Sequence, residues 1–483
     1  MATVITSIGS KSEHSSPVNA QITVTESSGS GTPWAGTVVY SGSDPTVDVG
    51  AILHYKDAYY NCDGYSSCAN GPLEVDYLIT AINTSTNTLT IRHIRGGIID
   101  SVDPFSNLDS DETGTLAQPY IVRCFSSIST WDADLDTDVF YDSDDTAQGE
   151  MYDDSDFSIT GAINITGGGT IDLKHRTLTA AVGQRHDGTA NTGVRLLRNA
   201  DSDTNFLLID HSVGSTSAEG NQIEWLEFDA NEKNVRTLVS LGTYCGAQNN
   251  LVHGGRWSGE NQYTIGIGST AKQCWICNNI IYDLYLDNGS SDAEGVYGIY
   301  MSHIDWIACV NNTVYNVKSN SSTSGDVCVG MHVRNGWYDP MVCNNICLDT
   351  TADNGDSPDF GVSYSTTPYV HVVSNYSSDD TATGGDYQRG QSAADTFVSV
   401  DSGTEDFHLK NGSNALRAGK DMGANEASFH SRRMPYAPYD WDVDINGRDR
   451  DSEGDDWDIG AHQCEGCSEG GGTTNAAFWL FFD

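Results

Sequence analysis

Four stretches of the chain fall into one register: Ile265-Gly266-Ile267, Tyr297-Gly298-Ile299-Tyr300, Val329-Gly330-Met331-His332 and Phe360-Gly361-Val362-Ser363. The glycine spacings are 32 (266 to 298), 32 (298 to 330) and 31 (330 to 361). Each stretch is followed by an asparagine turn: Asn278-Asn279, Asn311-Asn312, Asn344-Asn345 and Ser374-Asn375. Asn249-Asn250, placed 29 residues after Asn221 (250−221), extends the series upstream. A period of ~30 residues made of short β runs and turns predicts a stacked-coil β-solenoid, in which each coil is closed by its neighbours.

The repeat assigns side chains to faces. Two residues before each first Asn stand Ala247, Ile276, Cys309 and Val342, and three after it stand Val252, Ile281, Val314 and Cys347. These small apolar columns predict core ladders at the ~4.8 Å inter-strand spacing. Strand side chains alternate, so the flanking columns, with Trp275, Cys277, His253, Tyr282, Tyr315 and Leu348, are expected to face outward. The asparagines are expected to stack as amide ladders inside the turn.

Residues ~11–122 lack the repeat. They hold short β runs such as 36–40, 51–55, 77–82 and 88–92, with 83–87 reading as a hairpin loop by composition. This predicts a small β-sandwich or barrel, inserted after a short leading strand. Ser129 with Asp132 predicts a capping box that opens a short helix, which would cap the first coil. The three segments expected are therefore 1–124, 125–463 and 464–483. The last is a Gly-rich linker followed by an apolar end. Left free, a strand such as Phe478-Trp479-Leu480-Phe481-Phe482 would aggregate, so it is expected to dock, on its own chain or between subunits.

Charge removes several function classes. With 24 Lys plus Arg against 67 Asp plus Glu, the net charge is −43. Phosphate backbones would be repelled, so no nucleic-acid partner is expected, and an anionic membrane surface is disfavoured. The first residues carry neither the charged nor the apolar part of a signal peptide, and no run has transmembrane length, so no membrane insertion is expected.

The 12 cysteines form no clean framework. Cys309, Cys328 and Cys347 occupy apolar positions and read as reduced core residues. Cys245 and Cys274 share one column in adjacent coils. Cys62 and Cys68 bracket a loop they could bridge. Cys464-Glu465-Gly466-Cys467 follows His462 but lacks the second pair that a zinc site needs.

The pattern resembles right-handed parallel β-helix proteins of the pectate-lyase-like type, over roughly Phe125 to Gln463. The C-terminal runs Asp406-Phe407-His408-Leu409, Asn414 to Gly419, Asp444-Ile445-Asn446-Gly447-Arg448 and Asp458-Ile459-Gly460-Ala461-His462 look like the ending of many bacterial and phage β-helix proteins. The segment from Ser129-Thr130-Trp131 to Asp187-Gly188-Thr189 is similar to the entry of β-helix proteins encoded by tailed, chiefly marine, phages. The resemblance implies an all-β fold: a right-handed parallel β-helix with a small N-terminal β domain and an extended C-terminal tail. Because β-helices host lyases, hydrolases, adhesins and inert fibres alike, it implies no single activity.

Acids that could serve catalysis include Asp283, Asp287, Asp292, Glu294, Asp305, Asp326, Asp349, Asp353 and Asp356, but no Lys or Arg column stands beside them, so no catalytic residue is assigned. Outward Trp275, Trp306, Trp337, Tyr282 and Tyr315 are expected to form a sugar-stacking or subunit-packing face. Asp449, Asp451, Glu453 and Asp455 alternate at calcium-loop spacing around Gly454, so this loop is the candidate calcium site, and no cofactor is required. The expected function is a non-enzymatic virion structural or adhesion protein: a tail spike, fibre or capsid-attached appendage. By analogy it is a homo-trimer, contacting other virion proteins and a host-surface glycan. The alternatives are a polysaccharide depolymerase, lyase or hydrolase, on the same fold and a bacterial extracellular adhesin or filament subunit.

Overall fold

The computed structural model describes residues 3–9, 21–25, 35–39, 49–57, 73–93, 114–115, 120–137, 140–143, 145–202, 204–210, 221–258, 263–287, 295–304, 307–320, 326–335, 340–363, 371–422, 440–453, 457–464 and 467. Two compact units are defined: Met1–Ser155 with Thr166–Ala181 and Ser212–Ala218, and Asp156–Ile165 with Val182–His211 and Glu219–Asp483.

In the first unit, one antiparallel sheet orders its strands as Gly114–Thr115, Gln21–Thr25, Ala35–Val39, Thr88–His93, Leu73–Asn83, Ile52–Asp57 and Tyr120–Val122. The loop after Asn83 is the expected hairpin: the Asn83 side-chain oxygen accepts the N–H groups of Ser85 and Thr86, and Asn87 sits at φ 51°. The leading strand Thr3–Ile8 does not join this sheet. It pairs in parallel with Thr146–Met151, which pairs in parallel with His175–Ala180. Solenoid-type pairing thus begins ahead of the N-terminal sheet, and the sheet is an insertion.

The helix Ile128–Asp134 is capped two residues earlier than Ser129 and Asp132 suggest. Ser127 accepts the Thr130 N–H at 3.2 Å, and the Thr130 hydroxyl accepts the Ser127 N–H at 3.2 Å. Asp132 instead accepts the N–H groups of Thr166 and Gly167, both at 2.8 Å. The helix inserts fully buried Trp131, whose indole N–H donates to Tyr141 Oη at 3.0 Å.

The second unit is a parallel β-solenoid with three sheets. The first contains Asn221–Glu224, Cys245–Gln248, Cys274–Cys277, Ile307–Val310, Met341–Cys343 and His371–Val373. The second runs from Phe157–Ile159 and Arg195–Arg198 through Glu227–Asp229, Leu251–His253, Ile280–Leu286, Thr313–Ser319 and Ile346–Leu348 to Tyr376–Ser377. The third runs from Ile163–Ile165 and Leu207–Ile209 through Thr237–Leu241, Tyr263–Ser269 and Gly295–Ile304 to Asp326–Asn335, which pairs with Gly355–Asp356 and Phe360–Ser363.

The expected core ladders are present: Ala247, Ile276, Cys309 and Val342 pair in sequence, as do Val252, Ile281, Val314 and Cys347, all fully buried. The amide ladder uses the second Asn of each pair. Asn250, Asn279, Asn312 and Asn345 each donate to the side-chain oxygen of the next, ending on Asn375, over 3.0–3.1 Å. The same amides donate to the carbonyls of Ile223, Ala247, Ile276 and Cys309, so each buried side chain is satisfied by its neighbours. The first residue of each pair supplies the corner: Asn249, Asn278, Asn311, Asn344 and Ser374 all have φ between 51° and 57°, a region that Asn tolerates better than branched residues.

The glycine column has a steric cause. A Cβ on Gly298 would lie 2.5 Å from the Gly330 carbonyl oxygen and 2.4 Å from Val314 Cγ1, and one on Gly266 would lie 2.6 Å from the Gly298 oxygen. Only glycine fits where coils approach this closely.

Two alignments differ from the sequence reading. Gly361 pairs with His332 rather than Gly330, because the short strand Gly355–Asp356 takes up part of that coil. Asn221 pairs with Cys245, so the residue matching Asn250 one coil earlier is Leu226, and Trp225, at φ 61°, takes the corner. That coil is simply shorter.

Residues beyond ~390 leave the repeat and fold back over the outside of two sheets. The hairpin Phe397–Ser399 with Asp406–Leu409, together with Leu416, Ile445 and Ile459, covers Leu251, Ile280, Tyr282, Ile346, Leu348 and Tyr376 on the second sheet. Met422, Trp441 and Trp457 cover Trp275, Cys277, Ala308, Val310, Met341 and Cys343 on the first. A second apolar core therefore lies outside the solenoid.

Candidate functional site

This cover overturns the expected outward aromatic face. Trp275 and Tyr282 do project outward from their strands, but Trp275 is 0% exposed and Tyr282 3%. Tyr282 packs on Phe407 at 4.8 Å between ring centroids. Tyr315 is half-buried against Phe397 and Phe407. Alternation gave the direction correctly. The non-repeating segment that covers these rings lies more than 80 residues away in the chain, and no local pattern reports it. Trp306, Trp337 and the apolar end Phe478, Trp479, Leu480, Phe481 and Phe482 lie outside the described residues, as do Cys62 and Cys68.

The third sheet keeps an outer face that the C-terminal cover does not fill among the described residues. Its strands present half-exposed Tyr263, Tyr297, Tyr300 and His332, and exposed Arg334. Tyr297 and Tyr300 are three apart, a spacing that would put them on opposite sides of a regular strand. The burial pattern places Gly298 and Ile299 consecutively inside, so the strand bends at the glycine and both tyrosines emerge together. Their rings lie 4.9 Å apart, and Tyr300 stacks on its ladder partner His332 at 5.2 Å and 10°. Burial, and then the charge of Arg334, hold the His332 imidazole below its ordinary pKa. One coil upstream, Arg236 donates to Tyr263 Oη at 2.6 Å and lies over its ring. These residues stand inside the repeat signature. The alternation rule overlooked them because the bend at Gly298 breaks the alternation.

A second constellation sits where the upstream coils of the second sheet emerge from the cover. Glu227 and Asp229 share one strand, and His253 is the ladder partner of Asp229. His253 Nε2 is 3.0 Å from Glu227 Oε1, and its Nδ1 is 3.9 Å from Asp229 Oδ1. The ring stacks on Tyr282 at 4.6 Å and 14°. Arg195 bridges Asp156 at 2.6 Å and Asp229 at 3.5 Å. Its sequence signal is a Glu-x-Asp on one strand with a His on the next, which becomes visible only once the shorter coil length is known.

The acids of the sequence reading separate. Asp283 and Asp349 occupy left-handed corner positions, in ladder with Asn316, and burial raises both carboxyl pKa values. Asp287 pairs with Arg256. In the segment considered for calcium, Asp449 accepts the Asp451 N–H and Asp451 accepts the Trp457 indole N–H. Both carboxylates are exposed and serve a 3-10 turn. Asp455 lies outside the described residues. Cys464 and Cys467 form a disulfide, while Cys245 and Cys274, both buried, are not disulfide-bonded.

No protein-family model matches this chain, and no curated protein matches it. Among solved structures it is similar to pectate lyase Pel9A, with 13% identity and a TM-score of 0.32, covering 71% of this chain and 92% of that one. It is also similar to the tailspike protein gp49 from Pseudomonas phage LKA1, with 10% identity and a TM-score of 0.13, covering 81% of this chain and 66% of that one. The strand registers define the class: a parallel β-solenoid protein, nearly all β. Among the described residues, no helix is long and apolar enough to cross a membrane.

Proposed function

We propose that this chain is a virion structural and adhesion protein, a tail spike, fibre or capsid-attached appendage, that presents its third sheet to a host-surface glycan. The observation that carries the reading is the asymmetry of the solenoid's outer faces. Among the described residues, two faces are closed by the chain's own C-terminal segment, and the third leaves Tyr300 stacked on His332, with Tyr297 beside them, all half-exposed. Aromatic rings clustered on a rigid sheet offer apolar area with polar rims, which suits the C–H faces and hydroxyls of sugars. Binding of fluorescently labelled chain to host cells tests this. Tyr297→Ala with Tyr300→Ala should abolish binding without changing the melting temperature by more than a few degrees. Unaltered binding by that double variant would remove the third sheet as the contact face. Copy number per major capsid protein in purified particles, by quantitative mass spectrometry, tests the virion assignment.

A depolymerase is the second reading. It is favoured by the convergence of Asp156, Glu227 and Asp229 on Arg195 and His253. Release of reducing ends or unsaturated uronate from host polysaccharide, lost in Glu227→Gln, would establish it.

A further inference from the structure

We propose that Glu227, Asp229 and His253 form a binding site for one divalent transition-metal ion of the zinc type. The proposal is independent of the adhesion reading.

The three donors come from two neighbouring parallel strands. Glu227 and Asp229 are two apart and project from the same face, and the register sets His253 beside Asp229. One ligand atom from each residue falls within 4.8 Å of the other two. A tetrahedral ion with bonds of ~2.0–2.2 Å needs donor atoms ~3.3–3.6 Å apart. The 3.0 Å separation of Glu227 Oε1 and His253 Nε2 is already near that range, and the Asp229 carboxylate lies within 4.8 Å of both partners.

Each donor is held by a second contact, as in built metal sites. Glu227, fully buried, receives the Asn191 N–H on Oε2 at 2.8 Å, which leaves Oε1 facing the histidine. Asp229 receives the Asn231 N–H on Oδ1 at 2.7 Å. The His253 ring is fixed by stacking on Tyr282, itself packed on Phe407.

The local charge favours a cation. Among the described residues, Arg195 is the guanidinium that pairs with Asp156 and Asp229, and the Glu227 charge also acts on it. One imidazole and two carboxylates suit zinc or a similar first-row ion, whereas calcium wants six to eight oxygens, far more than are gathered here. A water would complete the coordination.

The test uses the full chain, stripped with a chelator. Zn²⁺ is titrated by calorimetry in a large excess of Mg²⁺, which saturates the diffuse cation binding of a chain with net charge −43. One equivalent should bind saturably and raise the melting temperature. Glu227→Gln and His253→Phe should each weaken that binding at least about tenfold, the lower end of what disturbing a metal site costs. His253→Phe keeps a ring on Tyr282 and so preserves the packing. Co²⁺ absorption of the unaltered chain is the second readout, with a nitrogen and oxygen ligand spectrum expected. No saturable binding by the unaltered chain, equal binding by both variants, or a sulfur-to-metal charge-transfer band placing the ion on cysteines would overturn the proposal.

Discussion

The guanidinium of Arg450 donates to the side-chain oxygen of Asn278 across 3.2 Å, and both residues are fully buried. Asn278 belongs to a solenoid corner and Arg450 to the C-terminal cover. Neighbouring corners are tied in the same way: the Asn278, Asn311 and Asn344 amides donate to the carbonyls of Val443, Trp441 and Lys420. These three asparagine pairs therefore divide their work. The second residue stacks inside the coil, and the first fastens the cover outside it.

Replacing Arg450 should loosen the cover rather than the solenoid. Its charge faces Asp444, Asp458 and Asp442, and removing it leaves buried acids without their cation. Arg450→Met is expected to destabilise the chain by about 3–5 kcal/mol. Limited proteolysis should then cut first within residues ~393–463, because stability is not uniform across a structure. An unchanged digestion pattern would show that the asparagine carbonyl ties suffice.

The amide ladder should be intolerant of charge. Asn312 donates to Asn345 Oδ1 and the Ile276 carbonyl while accepting from Asn279. Asn312→Asp replaces a donor by an acceptor between two acceptors. A loss of about 2–3 kcal/mol is expected from unmade buried hydrogen bonds, more when the acid ionises. Urea midpoints for Asn312→Asp should therefore fall further at neutral pH than at acid pH.

The glycine column should be equally strict. Gly298→Ala places a methyl against the Gly330 carbonyl and Val314, with a cost of about 1–3 kcal/mol or more from overpacking. Gly161→Ala is the control, since nothing lies within 4 Å of a Cβ there. Thermal melts of the two variants should separate by several degrees.

Acid should destabilise the fold through buried histidines. Burial lowers the His186 pKa from 6.5 to about 4 and holds His462 well below 6.5, with His408 adding to the effect on His462. Between these folded values and 6.5 the unfolded chain binds more protons, so stability present above pH ~6.5 is lost as pH falls toward 4. For His186 the full effect is on the order of 3 kcal/mol. Asp359 acts in the opposite sense: burial raises its pKa from 3.8 to about 6, so its contribution is present below 3.8 and lost as pH rises through 6. Urea midpoints at pH 7 and pH 5 should converge in His186→Gln and diverge further in Asp359→Asn. A pH 5 loss untouched by either substitution would assign the effect elsewhere.

The repeat made the coils and their inward columns legible. Ala247, Ile276, Cys309 and Val342 recur because every side chain inside a solenoid stacks on its homologue, which writes the geometry into the period. The same rule failed at Trp225, which fills an asparagine corner in a shorter coil, and at Gly361, where Gly355–Asp356 shifts the register. A change of coil length alters spacing without altering residue type.

By itself, the sequence determined the solenoid, the buried faces of its strands and the asparagine corners, because these depend on contacts between neighbouring coils that repeat. The tertiary structure alone decided which outward faces meet solvent. Among the described residues, Trp275 and Tyr282 are covered and Tyr297 and Tyr300 are not, because a C-terminal segment with no period of its own packs back on two sheets and not on the third. Local pattern specifies the direction of a side chain. What waits there is specified by chain arriving from far away in sequence.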